Sequence, residues 1–351
     1  MEKDAILWKP LPYNKVECTA CNRRCKIPEG GRGFCYIRKN KNGKLVLENY
    51  GKLAALQLDP IEKKPFNHYM PGSYVLGIGT VSCNFSCLFC QNHDLSKQHE
   101  TEGRDFMPEE IVDLAIKNGA DGIAYTYNEP TIFIEYALDT AEVAHEKGLF
   151  NVFVSNGYMT LEAVEKMKGK IDAVVVDFKG NAEEKFSNKY EAIPSQKPIM
   201  ESLVAMRKAG IHIEITDLVV PKVGDSLEAA KSLMEWISTN LGNETPVQFT
   251  RFYPDYKMAD FPITPFEELK AHYDIAKSAG LDYVYIGNVP GNPFENTYCP
   301  KCGNVVIGRE GFNITKWKIS QEGNCKYCGN HIPIDGTIPK SIKSKKIRWL
   351  I

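Results

Sequence analysis

Tyr74-Val-Leu-Gly-Ile-Gly79-Thr-Val-Ser-Cys83-Asn-Phe-Ser-Cys87-Leu-Phe-Cys90-Gln-Asn92 is an apolar run followed by a loop with cysteines spaced Cys-x3-Cys-x2-Cys. The run reads as a buried strand, and the loop begins where it ends. Three closely spaced thiolates can hold three irons of a cubane iron–sulfur cluster and leave the fourth without a protein ligand. An iron left open in this way can bind a further molecule, which a cluster held by four cysteines cannot easily do. The competing reading is a structural zinc knuckle, with His93 completing a Cys3His set. The spacing is not the paired Cys-x2-Cys of zinc sites, and it favours the cluster.

Outward from this loop, strand and helix alternate over residues 74–289. Segments 74–79, 123–126, 150–155, 173–177, 211–220, 247–252 and 283–287 read as buried or half-buried strands. Amphipathic segments lie between them; over residues 131–147, for example, Ile134, Ala137, Leu138, Ala141 and Ala144 recur at helical spacing. Gly119, Gly148, Gly210 and Gly280 each stand just before the next strand, where a left-handed residue stops a helix. Repeated strand–helix units imply a parallel sheet with right-handed crossovers. Seven strands are fewer than a complete eightfold barrel requires. The expected fold class is α/β: a partial (β/α) barrel over residues 74–292, flanked by small N-terminal and C-terminal Cys-rich metal-binding units.

The N-terminal unit, residues 1–58, carries Cys18-x2-Cys21-x3-Cys25-x9-Cys35, a Gly30-Gly31-Arg32-Gly33 turn and a hairpin connection at Lys39-Asn-Lys-Asn-Gly43. Its quartet suits either structural zinc or a second iron–sulfur cluster relaying electrons. Residues 59–73 contain three prolines and read as an extended linker. The last unit, residues 293–351, holds Cys299-x2-Cys302 and Cys325-x2-Cys328, 22 residues apart and each followed by glycine, close to the spacing of a zinc ribbon. Such a unit has too little core of its own, so metal should largely fold it. The basic stretch 340–348 reads as a solvated terminus rather than a nucleic-acid contact.

With 351 residues, 43% hydrophobic and 25% charged, the chain can bury a large core. Its net charge of -1 gives no global attraction to nucleic acid or anionic lipid. The opening Met1-Glu-Lys-Asp-Ala-Ile-Leu-Trp8 has no long apolar run, so neither a signal peptide nor a membrane span is expected. The 11 cysteines divide into groups of four, three and four, which points to metal sites in a reducing compartment rather than disulfides. The cytoplasm is the expected location, and an anaerobic one if the cluster holds.

The polar motifs fall at one place if the strands are right. Tyr127-Asn128-Glu129-Pro130 follows the second strand and Ser155-Asn156-Gly157 closes the third. Asp177 and Lys179 end the fourth, Glu214 and Thr216 lie on the fifth, Arg251 and Tyr253 end the sixth, and Gly287-Asn288 ends the seventh. The carboxyl ends of parallel strands share a face, which in barrels carries the active site. Strand ends are polar in any case, because loops reach water. Arg251 and Tyr253 are placed to grip a substrate, though strand-end packing alone would explain them. His68 and His212 are within reach of the site, with core or loop packing as the plainer role, and His145 falls on a helix surface.

In these motifs the chain resembles a radical S-adenosylmethionine (SAM) enzyme related to pyruvate formate-lyase-activating enzyme, and more narrowly the AmmeMemoRadiSam subgroup. The likeness rests on the cysteine loop with Phe89 before its third cysteine and on Asp59-Pro-Ile-Glu-Lys-Lys-Pro65. It extends to Tyr125-Thr-Tyr-Asn-Glu-Pro130, Val154-Ser-Asn-Gly-Tyr158, Arg251-Phe-Tyr-Pro-Asp-Tyr256 and Tyr283-Val-Tyr-Ile-Gly-Asn288. The resemblance implies a 4Fe–4S cluster on Cys83, Cys87 and Cys90, with the amino and carboxylate groups of SAM on the open iron. Phe89, Asn128, Glu129, Asn156, Asp177, Lys179 and Glu214 become the cofactor-binding candidates. Glu129 would take the ammonium, Asn156 and Asp177 the ribose, and Lys179 the carboxylate. Tyr127 and Asn128 replace the two glycines of the family's Gly-Gly-Glu-Pro strand end, where glycine permits close backbone approach.

The resemblance also implies that one electron from a reduced flavodoxin or ferredoxin cleaves SAM to methionine and a 5′-deoxyadenosyl radical. That radical would abstract hydrogen from a substrate held against it. A glycine of a partner protein is the expected substrate; another protein, RNA or a small molecule is the alternative. The reading from another class is a non-enzymatic zinc-binding adaptor that docks partners through its cysteine units.

Overall fold

Val75, Leu76 and Ile78 are fully buried, and so are Val152, Phe153, Val174 and Val175, because the strands that carry them are covered on both faces. The structure is a computed structural model that describes residues 1–336 and the backbone of Arg348–Trp349. Apart from Arg348, the basic stretch 340–348 lies outside the described residues. The central sheet contains β1 (Ala55–Pro60), β2 (Tyr74–Gly79), β3 (Gly122–Tyr125), β4 (Phe150–Ser155), β5 (Ala173–Lys179), β6 (His212–Val219), β7 (Val247–Arg251) and β8 (Val284–Gly287). They lie side by side in chain order, with Arg348–Trp349 beyond β1. From β2 to β8 every pairing is parallel. β1 runs antiparallel to β2. Among the described residues no ladder joins β8 back to the opposite edge, so the barrel is partial.

Six helices form the outer layer: α1 (Pro108–Lys117), α2 (Ile134–Glu146), α3 (Leu161–Met167), α4 (Lys197–Lys208), α5 (Leu227–Leu241) and α6 (Phe266–Ser278). The stop glycines behave as the sequence requires, with φ of 72° at Gly119 and 91° at Gly280. The seven parallel strands fall where the apolar runs place them, within a few residues at each end.

The expected extended linker is a correction. Residues 55–60 are a strand of the main sheet, and Ile61–Lys63 make a 3-10 turn. Phe66 and Tyr69 then fill the barrel interior against Val75, Ala124, Val152 and Val175. Proline bars a helix here, but β1 is near the sheet edge and its Pro60 is the last strand residue, where a missing N–H is tolerated.

The N-terminal segment shares the barrel's core: Leu7, Val16 and Leu45 belong to one buried cluster with Ile132 and Tyr136. Its hairpin, Arg38–Lys41 with Lys44–Leu47, turns through Asn42 and Gly43 at φ of 53° and 78°, the geometry for which Asn-Gly is selected. Buried Arg38 pairs with Glu135 of α2, and Arg24 makes two 2.8 Å bonds to Glu162 of α3. At the other end, Thr297–Tyr298, Val305–Glu310 and Asn313–Trp317 form a small antiparallel sheet packed on Tyr283 and on Tyr285 of β8. No helix among the described residues is long and apolar enough to cross a membrane.

Candidate functional site

The loop after β2 brings Cys83, Cys87 and Cys90 to one cavity of about 560 Å³ at the carboxyl ends of the strands. A single tetrahedral ion draws its ligands tightly together; among the described residues only Cys299, Cys302, Cys325 and Cys328 offer sulfurs all within 4.8 Å of one another. The wider trio suits a cluster, where several metal ions stand between the thiolates. His93 does not line the cavity: it stacks on Tyr256 with ring centroids 4.9 Å apart and faces Asp94 and Asp255. The Cys3His alternative therefore lacks its fourth ligand. Burial pushes the Cys87 thiol well up, Glu191 adds to the push, and Lys179 opposes it.

The strand ends supply the polar wall. Glu129, at the end of the segment after β3, is 2% exposed and accepts from Ser155 Oγ at 2.8 Å, the Asn156 amide at 2.8 Å, and both groups of Thr131. Burial nonetheless raises its pKa. Asn156 donates from Nδ2 to Asn84 Oδ1 at 2.8 Å, so it grips the cluster loop from within. Thr216 of β6 donates to Asp177 at the end of β5. Lys179 is half-buried, with Nζ 3.0 Å from the Asp177 carbonyl. Burial works against its charge, yet Asp177, Glu191 and the nearby cysteines raise its pKa, so it remains a cation in the wall. Phe89 also lines the cavity and packs on Phe186 at 5.6 Å.

Two sequence assignments change. Glu214 does not reach the cavity: its carboxylate accepts from the amides of Asn67, His68 and Tyr69 at 2.7–2.9 Å and anchors that segment inside the barrel. Asn128 touches the cavity, but its amide group is spent on the cluster loop. Nδ2 donates to Thr80 Oγ1 and to the Val81 and Ser82 carbonyls, while Oδ1 accepts from the Thr80 amide.

Tyr127, where the resembled family has glycine, takes a φ of 71° and so keeps a glycine-like backbone. Its bulk is absorbed by glycines on β2. A Cβ at Gly79 would meet the Thr126 carbonyl at 2.6 Å, and one at Gly77 the Tyr127 hydroxyl at 2.9 Å. The ring lies under Lys64 Nζ at 4.4 Å, and Lys64 pairs with Asp59 at 2.8 Å. Glycine at alternate positions of β2 was the sequence signal for this contact.

His68 and His212 do not line the cavity; His68 bonds the Tyr285 hydroxyl at 2.7 Å and the Pro333 carbonyl at 2.8 Å. His145, expected on a helix surface, bonds Asp172. Arg251 and Tyr253 do line the cavity, and the C-terminal unit closes over it with Arg309, Gly311 and Phe312. In that unit the Cys299 and Cys328 sulfurs are 3.6 Å apart and those of Cys302 and Cys325 3.8 Å apart, an arrangement able to hold one metal ion.

The family profile described as the Radical SAM superfamily matches residues 78–237, from the end of β2 into α5. Uncharacterized protein MJ0808 of Methanocaldococcus jannaschii is 43% identical over 335 residues, covering 95% of this chain and 99% of that protein. Uncharacterized protein MJ0674 of the same organism is 27% identical over 286 residues, 76% of each chain. Among solved structures, a radical SAM methyltransferase from Sphaerobacter thermophilus aligns with a TM-score of 0.49 at 16% identity, over 62% of this chain and 67% of that one. The family implies a 4Fe–4S cluster and SAM, and the open trio of Cys83, Cys87 and Cys90 is suited to them. Residues 78–237 form a radical SAM superfamily domain.

Proposed function

We propose that the chain holds a 4Fe–4S cluster on Cys83, Cys87 and Cys90, binds SAM beside it, and directs hydrogen abstraction from a substrate in the same cavity. The observation that carries this reading is the meeting of an open cysteine trio with a buried carboxylate, Glu129, and a half-buried cation, Lys179, around one space of about 560 Å³. That volume lies within the range of cofactor and small-ligand sites. Cluster and SAM, when bound, supply the electron and the carbon-centred radical.

The protein's part is positioning and exclusion of water. Lys179 offers a donor for the SAM carboxylate, Glu129 an acceptor for its ammonium, and Asn156 and Asp177 partners for the ribose. Asn128 and Asn156 fix the loop that bears the cysteines. Zinc is the ion we assign to Cys299, Cys302, Cys325 and Cys328, because a Zn–S length of about 2.3 Å in a tetrahedron puts sulfurs about 3.8 Å apart. The electron donor is a flavodoxin or ferredoxin in this reading.

For the substrate, the leading reading is an activase role on a glycine of a partner protein. The mouth of the cavity supports it, since Tyr253 and Phe312 are 37% and 42% exposed at its rim, as aromatic anchors for another chain are. A small anionic molecule is the second reading, favoured by Arg251 and Arg309: each lines the cavity, and the Nε of each is buried without a hydrogen-bond partner.

The test is anaerobic reconstitution with iron and sulfide, followed by SAM and dithionite. A brown protein releasing 5′-deoxyadenosine is expected. A colourless zinc protein that leaves SAM intact overturns the proposal in favour of an adaptor. Deuterium transfer into 5′-deoxyadenosine from labelled candidate substrates then separates a protein glycine from a small anion.

A further inference from the structure

The first four cysteines make a site that the chemistry above does not use. Cys18, Cys21 and Cys35 are buried and Cys25 half-buried, and all four line one small cavity shared with Arg38 and Asn84. The Phe34 amide donates to Cys25 Sγ at 3.4 Å.

Arg38 gives an independent indication of a ligand. It is 1% exposed, its Nε donates to the Ile132 carbonyl at 2.9 Å, and its Nη2 pairs with Glu135. Its Nη1 is buried and has no hydrogen-bond partner among the described residues. A guanidinium N–H without an acceptor is costly in such surroundings. Thiolate sulfurs in the cavity would be that acceptor, and the charge of Arg38 already bears on Cys18 and Cys35.

Sulfur spacing decides between metals. The C-terminal quartet, with sulfurs 3.6 and 3.8 Å apart, has the edge length of a tetrahedral zinc–thiolate site. No three sulfurs of the N-terminal quartet lie within 4.8 Å of one another, and the trio of Cys83, Cys87 and Cys90 shares that wider spacing. One chain thus holds a tight quartet, a wide trio and a wide quartet. We propose that Cys18, Cys21, Cys25 and Cys35 hold a second iron–sulfur cluster, with Arg38 donating to its sulfurs.

The second centre would abut the first. Arg23 Nε donates to the Asn84 carbonyl at 2.7 Å, Asn84 walls the smaller cavity, and its chain neighbour Cys83 lines the larger. Charge and hydrogen bonds at the sulfurs set a cluster's reduction potential, and Arg38 supplies both. The assignment does not depend on SAM binding at the main site.

Anaerobic reconstitution of the wild type and of the Cys83→Ala/Cys87→Ala/Cys90→Ala variant tests it, with iron, acid-labile sulfide and zinc counted per chain. The triple variant should keep about two to four irons with matching sulfide, since four cysteines hold either common cluster type. It should lose them when Cys21→Ala is added. A triple variant without iron overturns the proposal, whatever zinc it carries. The triple variant's count decides the matter even if the added change impairs folding. A wild type with no more iron than the triple variant would instead count against the main-site cluster, so the two failures are distinguishable. For Arg38, the second cluster's midpoint potential should fall in Arg38→Gln and recover in part in Arg38→Lys; an unchanged potential overturns its role.

Discussion

Asn128 spends all of its hydrogen-bonding capacity on the loop that carries the cysteines, with four contacts to Thr80, Val81 and Ser82. Replacing it by alanine leaves the Thr80 amide and two carbonyls without partners in a buried place. Each unmade bond of this kind costs about 1–3 kcal/mol, and relaxation of the loop recovers part. Asn128→Ala is therefore expected to lose roughly 2–4 kcal/mol in stability and to hold less iron per chain than the wild type. Calorimetry and iron analysis check both, and a variant with full iron content would show that the loop is positioned otherwise. Cys87→Ala should lose the main-site cluster outright, while Cys302→Ala should leave SAM cleavage largely intact, as spectroscopy and product chromatography would read out. The three cysteines were legible at this scale because their spacing is covalent. Asn128 and Tyr127 were not. Asn128 acts through Thr80, Val81 and Ser82, and Tyr127 packs on Gly77 and Gly79 of a neighbouring strand, contacts between segments far apart in the chain.

At the scale of elements, the strand register fixes which side of the sheet each residue serves. Glu214 and Thr216 share a face of β6, but only Thr216 lies near enough to the carboxyl end to line the cavity. Glu214, nearer the amino end, holds three amides of the segment after β1. Glu214→Gln should lower stability by roughly 2–4 kcal/mol, because it trades charge-assisted bonds for weaker ones and puts an NH2 group opposite an amide. Iron content and SAM affinity should stay near wild type; a large loss of SAM affinity with unchanged melting would restore the cofactor role read from the sequence.

On the other face, Asp217 accepts from the Asn181 amide at 3.1 Å, and its second oxygen is buried without a partner. Burial raises its pKa to about 7. A carboxyl raised in this way binds its proton more tightly folded than unfolded. Its contribution is fully present below the unfolded value near 4 and is lost as pH rises through 7. Asp217→Asn should accordingly flatten the fall in melting temperature between about pH 4 and 7. An unchanged slope in calorimetric scans would refute this. The alternating strands and the four glycine stops were readable in the sequence because they repeat a local period. The strand at 55–60 and the plug of Phe66 and Tyr69 were hidden, since proline spacing excludes a helix without saying what the extended chain pairs with.

Across the whole molecule, the C-terminal unit is tied to the barrel by the ring of His212, which stands 3.2 Å from Glu214 and 3.3 Å from Asp335. Burial opposes its charge, but these two carboxylates prevail and raise its pKa to about 9. A raised histidine stabilises the fold fully below its unfolded value near 6.5, and that stabilisation fades as pH rises through 9. His212→Gln should remove this alkaline loss, as thermal melts between about pH 6 and 10 would show; a wild-type slope retained by the variant would exclude it. The same docking puts Arg309, Gly311 and Phe312 over the main cavity. Their sheet has a core of few residues, among them Val306, Ile307, Ile314 and Ile332, and two of its cysteines, Cys299 and Cys325, are buried within it. On the zinc assignment proposed above, the unit would depend on its ion, because for small metal-bound units the binding free energy is most of the folding free energy. Cys325→Ser should thus release zinc and unroof the cavity while leaving Cys83, Cys87 and Cys90 in place. Iron per chain after anaerobic reconstitution should match the wild type, but visible absorbance should bleach several-fold faster on exposure to air or chelator. Equal bleaching rates in a variant shown to lack zinc would mean that the barrel shields its own site and that the C-terminal unit serves something other than closure.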